Sequence, residues 1–170
     1  MRIGLLSLLL MGALFLVCSC GQDPVSKEGA PLDITLFSFT HTASNMEDCY
    51  RMEVSLQDGG THLCAEELFL GGHVVDTMVE EPILKQLGEL AGTYRIQRWD
   101  GFDKSRSRVS DGSTFTLRMV LADGSEISAH GSNAFPDNYS DAASAFRSLY
   151  TELMDRYGHA GTEPAANSNG

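Results

Sequence analysis

The sequence has 170 residues, of which 42% are apolar and 21% are charged, and its formal net charge is −11. This length and composition give room for one globular domain and exclude a collagen-like, fibrous or wholly disordered chain. The excess of acidic residues also argues against nucleic acid as a ligand, because a protein that neutralises phosphates needs a basic face.

The first residues have the pattern of a secretory signal. Arg2 is the only charged residue before Asp23, and an almost unbroken apolar run extends over 3–17. This run of 15 residues is shorter than the roughly 18 that span a bilayer. A basic start, an apolar core and a small residue at the exit predict a cleaved signal peptide over 1–19.

The end of this segment, Val17-Cys18-Ser19-Cys20, resembles the lipobox of bacterial lipoproteins. In that family an aliphatic, a variable and a small residue precede the Cys that receives diacylglycerol. Cys18 would place Val17 where the family has a small residue, so Cys20 is the better candidate. An ordinary cleaved signal peptide with an incidental Cys is the alternative.

The lipobox resemblance implies a domain outside the cytoplasm, held at the bacterial cell envelope on the plasma or the outer membrane. The two acyl chains of one diacylglycerol suffice for stable anchoring. Because anionic headgroups repel an acidic surface, we expect lipid on Cys20, rather than a basic patch, to hold the protein at its membrane. Residues 20–31 contain almost nothing apolar, which predicts a flexible tether.

The first predicted strand runs over 32–40. Its apolar residues alternate between two faces, Ile34 and Leu36 on one and Phe37 and Phe39 on the other. A β-hairpin is predicted over 49–68, because apolar and polar residues alternate before the turn residues Asp58-Gly59-Gly60.

Cleavage and lipidation would leave Cys49 and Cys64 as the cysteines of the exported domain. An oxidising compartment favours a disulfide between them. The hairpin opposes the bond, because a tight turn sets Cys49 opposite about residue 68. That position is four residues, or about 13 Å, from Cys64, whereas bonded cysteines need Cα atoms within about 7 Å. A bridge would need Cys49 to lie in an irregular segment that folds back, and the pattern leaves both states open.

Two helices and a second hairpin are predicted in the rest of the domain. The first helix starts near Pro82, whose missing N–H is tolerated in a first turn. Asp123-Gly124 closes a hairpin between strands at 114–121 and 125–130. The second helix covers about 140–157. Each helix has one apolar stripe at a 3.6-residue period: Ile83, Leu84, Leu87, Leu90, Ala91 and Tyr94 in the first, and Ala142, Phe146, Leu149, Tyr150, Leu153 and Tyr157 in the second.

The element order β, β-hairpin, α, β-hairpin, α predicts an α+β fold. We expect one domain over 32–158, built from an antiparallel sheet of about five strands with both helices packed on one face. Hairpin-linked strands argue against a parallel doubly wound sheet, since parallel neighbours need crossover connections. The composition of residues 159–170 predicts a disordered tail.

Candidate catalytic and metal-binding residues are dispersed along the chain. The sequence has no phosphate-binding glycine loop, no H-E-x-x-H and no G-x-S-x-G. His62 and Cys64 fall on one strand face but are too few for a structural zinc site. Asp100, Asp103 and Asp111 lie in a loop with three serines, where flexible oxygen donors could bind Ca²⁺; a solvated loop is the alternative. We therefore predict no resident metal and no cofactor.

Two segments, 99–102 and 131–139, combine aromatic and polar residues around glycine turns. With Asp111-Gly112, Phe115 and Asp123-Gly124, they make the chain similar to a domain of uncharacterised bacterial secreted proteins and lipoproteins. This resemblance covers most of residues 32–157. It implies one compact domain and carries no mechanism.

The same segments predict an interaction face at one end of the sheet, formed by Trp99, Phe102, Asn133 and Phe135. Aromatic side chains supply much of the energy at binding hot spots. The alternative is structural, with the rings plugging the edge of the sheet. A binding face leaves these rings partly exposed, whereas a plug buries them.

Together these features predict a lipid-anchored binding or interaction module for an envelope protein or a small ligand. The alternative is a hydrolase or metal-dependent enzyme that uses two loops, one from Asp100 to Asp111 and one from Gly131 to Pro136. Catalysis needs several titratable groups to converge in a cleft, and the acidic residues are spread over the whole sequence. Binding is therefore the favoured interpretation.

Overall fold

Strands and helices account for most of the residues that the computed structural model describes, which are 29–80, 82–107 and 112–158. The predicted signal peptide, residues 20–28 of the predicted tether with Cys20, and the predicted tail lie outside these residues, as does Asp111 of the candidate calcium loop. The described strands are β1 (Ile34–Thr42), β2 (Tyr50–Gln57), β3 (Gly60–Glu67), β4 (Val74–Val79), β5 (Phe102–Ser105), β6 (Thr114–Leu121) and β7 (Glu126–Ser132), and the described α-helices are α1 (Ile83–Thr93) and α2 (Tyr139–Tyr157).

The seven described strands form one mixed sheet in the order β4-β3-β2-β1-β6-β7-β5. Neighbouring strands are antiparallel except β5 and β7, which run parallel. The predicted α+β class is confirmed, and the prediction of about five strands, all antiparallel, is wrong. The edge strand β4 exposes Val74 and Met78, so it lacks clear polar alternation. β5 has four residues and pairs with a distant strand, which local periodicity does not detect.

An irregularity in β1 changes which residues face the core. The register of β1 against β6 shifts between Ile34 and Leu36. A bulge offsets the side-chain alternation by one residue, so Ile34 joins Phe37 and Phe39 in the core while Leu36 is only half-buried. The prediction that Ile34 shares a face with Leu36 is therefore wrong.

The β2–β3 hairpin separates the two cysteines. Glu53 pairs with Cys64, and the Leu68 N–H donates to the Cys49 carbonyl oxygen (2.9 Å). Cys49 and Cys64 are therefore about four strand positions apart, or about 13 Å, and both thiols are free. The Cys49–Cys64 disulfide does not form in this structure. Cys49 is buried, and its Sγ accepts a hydrogen bond from the Ala43 N–H (3.2 Å).

Both helices contribute to one hydrophobic core against the same face of the sheet. Leu87 of α1 and Phe146 of α2 are fully buried in it. The Phe146 ring meets the Phe37 ring of β1 edge-on, with centroids 5.0 Å apart. Within the described residues, no helix is long and apolar enough to cross a membrane.

The first described residues lie against α1. The Leu32 N–H donates to the Gly88 carbonyl oxygen (3.0 Å). A Cβ atom on Gly88 or Gly92 would collide with the carbonyl oxygen of Leu32 or of Ala30. Because these two helix glycines have no Cβ atom, residues 29–31 of the predicted tether can pack directly on α1.

Candidate functional site

The chain reverses directly after α1. Arg95 adopts a left-handed backbone, with φ 53° and ψ 46°, and leads into a 3-10 helix, Ile96–Trp99. This helix buries Ile96 and Trp99 and leaves Arg98 exposed. The reversal thus places two arginines around a buried indole.

Asn138 connects this reversal to the start of α2. Its backbone is also left-handed (φ 59°), a conformation that Asn tolerates better than most residues. Trp99 Nε1 donates to Asn138 Oδ1 (3.2 Å), and Asn138 Nδ2 donates to the Tyr94 carbonyl oxygen (2.5 Å). One side chain therefore fixes the indole and the end of α1 relative to α2.

An aromatic cluster occupies this end of the sheet. Phe115 of β6 is at its centre, with its ring centroid 5.8 Å from that of Trp99, 6.1 Å from Phe102, 5.9 Å from Phe135 and 4.6 Å from Tyr139. Trp99 is 1% exposed and Phe135 is 39% exposed, while Phe102 is half-buried. The three rings of the predicted interaction face therefore lie together. Trp99 is buried, as expected for a structural role, whereas Phe135 is exposed enough to contact a ligand.

An open cavity of about 590 Å³ lies between the end of α1, β5 and the turn before α2. Three cationic side chains, three aromatic rings and one carboxylate line it. The alternation along β5 places Phe102 and Lys104 on one face of the strand and Asp103 on the other. The lining residues are Thr93, Arg95, Arg98, Trp99, Phe102, Lys104, Phe135, Pro136, Asp137 and Asn138.

Two cations of this cavity have no carboxylate partner within the described residues. Neither Arg98 nor Lys104 forms an ion pair there. The Lys104 ammonium lies 5.1 Å from the centroid of the Phe102 ring, which is the range of a cation–π contact. Asp137 is the lining carboxylate, so positive charge exceeds negative charge here although the chain is strongly acidic.

The acidic residues proposed above as metal ligands are directed to other partners. Asp100 Oδ1 accepts from the Ser128 N–H (3.0 Å), and Asp103 Oδ1 lies 3.2 Å from His130 Nδ1. Asp111 lies outside the described residues. Within the part of the chain that is described, no three His, Cys, Asp or Glu side chains are placed to hold a metal ion. Neither Asp100 nor Asp103 lines the cavity.

Asn133 does not line the cavity either. Its backbone is left-handed (φ 53°). Its Oδ1 accepts from the Ser113 N–H (3.0 Å), and its Nδ2 donates to the Arg106 carbonyl oxygen (3.3 Å). Asn133 therefore links two backbone segments and lies outside the cavity lining, unlike the three rings of the predicted face.

A second cavity, of about 340 Å³, lies beside the first, and Phe135 lines both. In the second cavity His41 Nδ1 and the Tyr139 hydroxyl are 2.9 Å apart. Burial lowers the pKa of His41, and the charge of Asp48 only partly offsets this effect. Burial also raises the pKa of the Tyr139 hydroxyl. Both groups are therefore neutral near pH 7.

The candidates from the sequence did not include the lining residues Arg95, Arg98, Lys104 and Asn138. The basic residues could have been recognised from the sequence, because five of the chain's 12 Lys and Arg fall within residues 95–108. Such a local excess in an acidic chain indicates a patch with its own electrostatic role. The role of Asn138 could not be recognised from the sequence, because its hydrogen-bond partners Trp99 and Tyr94 lie 39 and 44 positions earlier.

No protein-family model matches the chain, and a search of curated proteins found no similar sequence. The described residues show an α+β fold with a cavity lined by cationic and aromatic side chains at one end of the sheet.

Proposed function

We propose that this protein is a binding module of the bacterial cell envelope, anchored by lipid on Cys20, whose ligand is a small molecule in the cavity beside Trp99. The volume of about 590 Å³ falls in the usual range for small-molecule sites, about 300–1,000 Å³. The observation that carries the proposal is the placement of three cationic side chains around aromatic rings in a chain of net charge −11.

The lining favours a ligand with an anionic group on an apolar body. Arg98 and Lys104, which have no carboxylate partner in the described chain, can bind a phosphate or carboxylate group. The rings of Phe102 and Phe135 offer apolar surface for the rest of the molecule. A charge-assisted contact and an apolar contact together select such a ligand over a neutral or cationic analogue.

Trp99 provides the test, because it is the only Trp of the chain and lines the cavity. The full chain in detergent would be titrated with phenyl phosphate, with benzyl alcohol and benzylamine as neutral and cationic counterparts, and Trp99 fluorescence would be recorded. We expect a saturable change with phenyl phosphate alone.

Arg98→Gln should weaken this binding at least tenfold, as expected for a lost hydrogen bond to a charged group. Arg118→Gln is the matched control, because Arg118 pairs with Glu126 (3.0 Å) on the opposite face of the sheet. Equal responses to phenyl phosphate and benzylamine, or equal affinities of the two variants, would contradict an anion site in this cavity.

A further inference from the structure

The start of the described chain lies beside the cavity. A Cβ atom on Gly29 would come within 3.5 Å of Arg95 Cγ, and Arg95 lines the cavity. The same N-terminal segment is held on α1 by the Leu32–Gly88 hydrogen bond (3.0 Å). The attachment point of the predicted tether is therefore fixed at the cavity rim.

This placement limits how far the cavity can be from the membrane. Eight residues lie between Cys20 and Gly29, so nine Cα-to-Cα steps join them, and a fully extended chain covers at most about 3.6 Å per step. If Cys20 carries the lipid anchor, as proposed above, the cavity rim stays within roughly 30 Å of the bilayer surface.

The charge distribution favours one orientation within that range. The acidic surface of the domain is repelled by anionic headgroups, whereas Arg98 and Lys104 are attracted to them. Phe135 is 39% exposed at the same rim, and the exposed apolar side chains of surface-bound proteins, Phe among them, are buried at the boundary between headgroups and acyl chains.

We infer that the cavity binds the anionic headgroup of a membrane phospholipid, with the cations on the phosphate and Phe135 against the upper acyl region. This inference rests on the proposed function and names its ligand. The lipid on Cys20 holds the protein at the membrane, and the headgroup in the cavity sets its orientation.

Energy transfer from Trp99 to a dansyl-labelled lipid tests the inference. The lipidated full chain would be placed in nanodiscs of phosphatidylcholine alone or with one third phosphatidylglycerol. We expect the transfer efficiency to rise at least twofold on the anionic discs and to fall back with added salt, which screens such contacts. Equal efficiencies on the two kinds of disc would overturn the inference.

Variants identify the residues responsible. Each cation near an anionic surface strengthens binding about fivefold, so Arg98→Gln with Lys104→Gln should abolish the rise in transfer on anionic discs. Arg118→Gln, on the opposite face of the sheet, should keep it. A rise that survives the double substitution would overturn the assignment to this cavity.

A soluble phosphate compound distinguishes a membrane lipid from a free anion as the ligand. The melting temperature of the protein would be measured on phosphatidylcholine discs, on the same discs with added glycerol phosphate, and on anionic discs. A melting temperature that differs from the first value only on anionic discs supports the inference. An equal shift with glycerol phosphate would overturn the lipid source and leave the proposed small-molecule site standing. A chain that does not stay with neutral discs would overturn both the anchor and this inference.

Discussion

Among the described residues other than glycine, three have left-handed backbones, and these residues, Arg95, Asn133 and Asn138, lie at the end of the sheet that holds the cavity. Such conformations cost about 1–3 kcal/mol each and persist only where the surroundings hold them. The two asparagines are held by their own side-chain hydrogen bonds. These residues bring together segments that are far apart in the sequence, and in this way they shape the cavity.

Substitutions of Asn138 separate the hydrogen bonds from the backbone conformation. Asn138→Ala removes both side-chain bonds and keeps an unfavourable backbone, so the free energy of unfolding should fall by about 2–4 kcal/mol. Asn138→Gly removes the same bonds but relieves the backbone, so its loss should be about 1 kcal/mol smaller. Denaturant unfolding followed by Trp99 fluorescence measures both values. Equal losses would show that the left-handed backbone adds nothing to the effect.

His41 makes stability depend on pH. Burial lowers its pKa in the folded state, with Asp48 opposing and Arg147 reinforcing the shift. The unfolded chain then takes up the proton first, so the free energy of unfolding should fall as pH drops below about 6.5. Unfolding curves between about pH 5 and pH 8 should show a flatter profile for His41→Gln. Gln97→Ala, an exposed position without a titratable group, should keep the slope of the original protein; a His41→Gln profile with that same slope would exclude His41 as the cause.

At the scale of the element, sequence patterns identified the helices and hairpins, which are determined by residues close together in the sequence. α1 and α2 are encoded by apolar stripes, and the β2–β3 and β6–β7 hairpins by alternation around glycine turns. The sequence patterns did not predict β5, because β5 pairs in parallel with β7, a strand that is distant in the sequence. They did not predict the cavity for the same reason, because it forms only where β5, the 3-10 helix Ile96–Trp99 and the turn before α2 come together. Only its aromatic residues were predicted to meet.

Contact between α1 and the N-terminal segment gives a prediction at this scale. Gly88→Ala should raise the stability of an isolated helix by about 1 kcal/mol. In this protein the new Cβ would strike the Leu32 carbonyl oxygen, so we expect a net loss of about 1–3 kcal/mol and faster hydrogen exchange at the Leu32 amide. Gln86→Ala, at an exposed position of α1, should change neither measurement. A stabilised Gly88→Ala protein with a protected Leu32 amide would show that the segment does not pack on this glycine.

At the scale of the whole molecule, the cluster of basic residues and the point where the N-terminal segment joins the domain lie at the same end. The chain is acidic overall, but five of its 12 basic residues fall within 95–108, where three of them line the cavity. The N-terminal segment reaches the domain beside Arg95. An anchor at Cys20 would therefore bring the basic end of the domain toward the membrane, although the net charge alone predicts repulsion from it.

The anchor itself gives the prediction on which this arrangement depends. If Cys20 carries diacylglycerol, Cys20→Ala should remove lipid labelling and shift the protein from the detergent phase to the aqueous phase, since stable anchoring needs the two acyl chains. Metabolic labelling with a radioactive fatty acid, followed by detergent phase separation, measures both effects. Cys18→Ala is the matched control, because Cys18 lies two positions earlier in the same motif and its loss should leave labelling unchanged. Labelling that survives Cys20→Ala but not Cys18→Ala would move the anchor to Cys18. Labelling that is absent from the original protein would exclude the anchor, and with it the reason for the cavity to face a membrane.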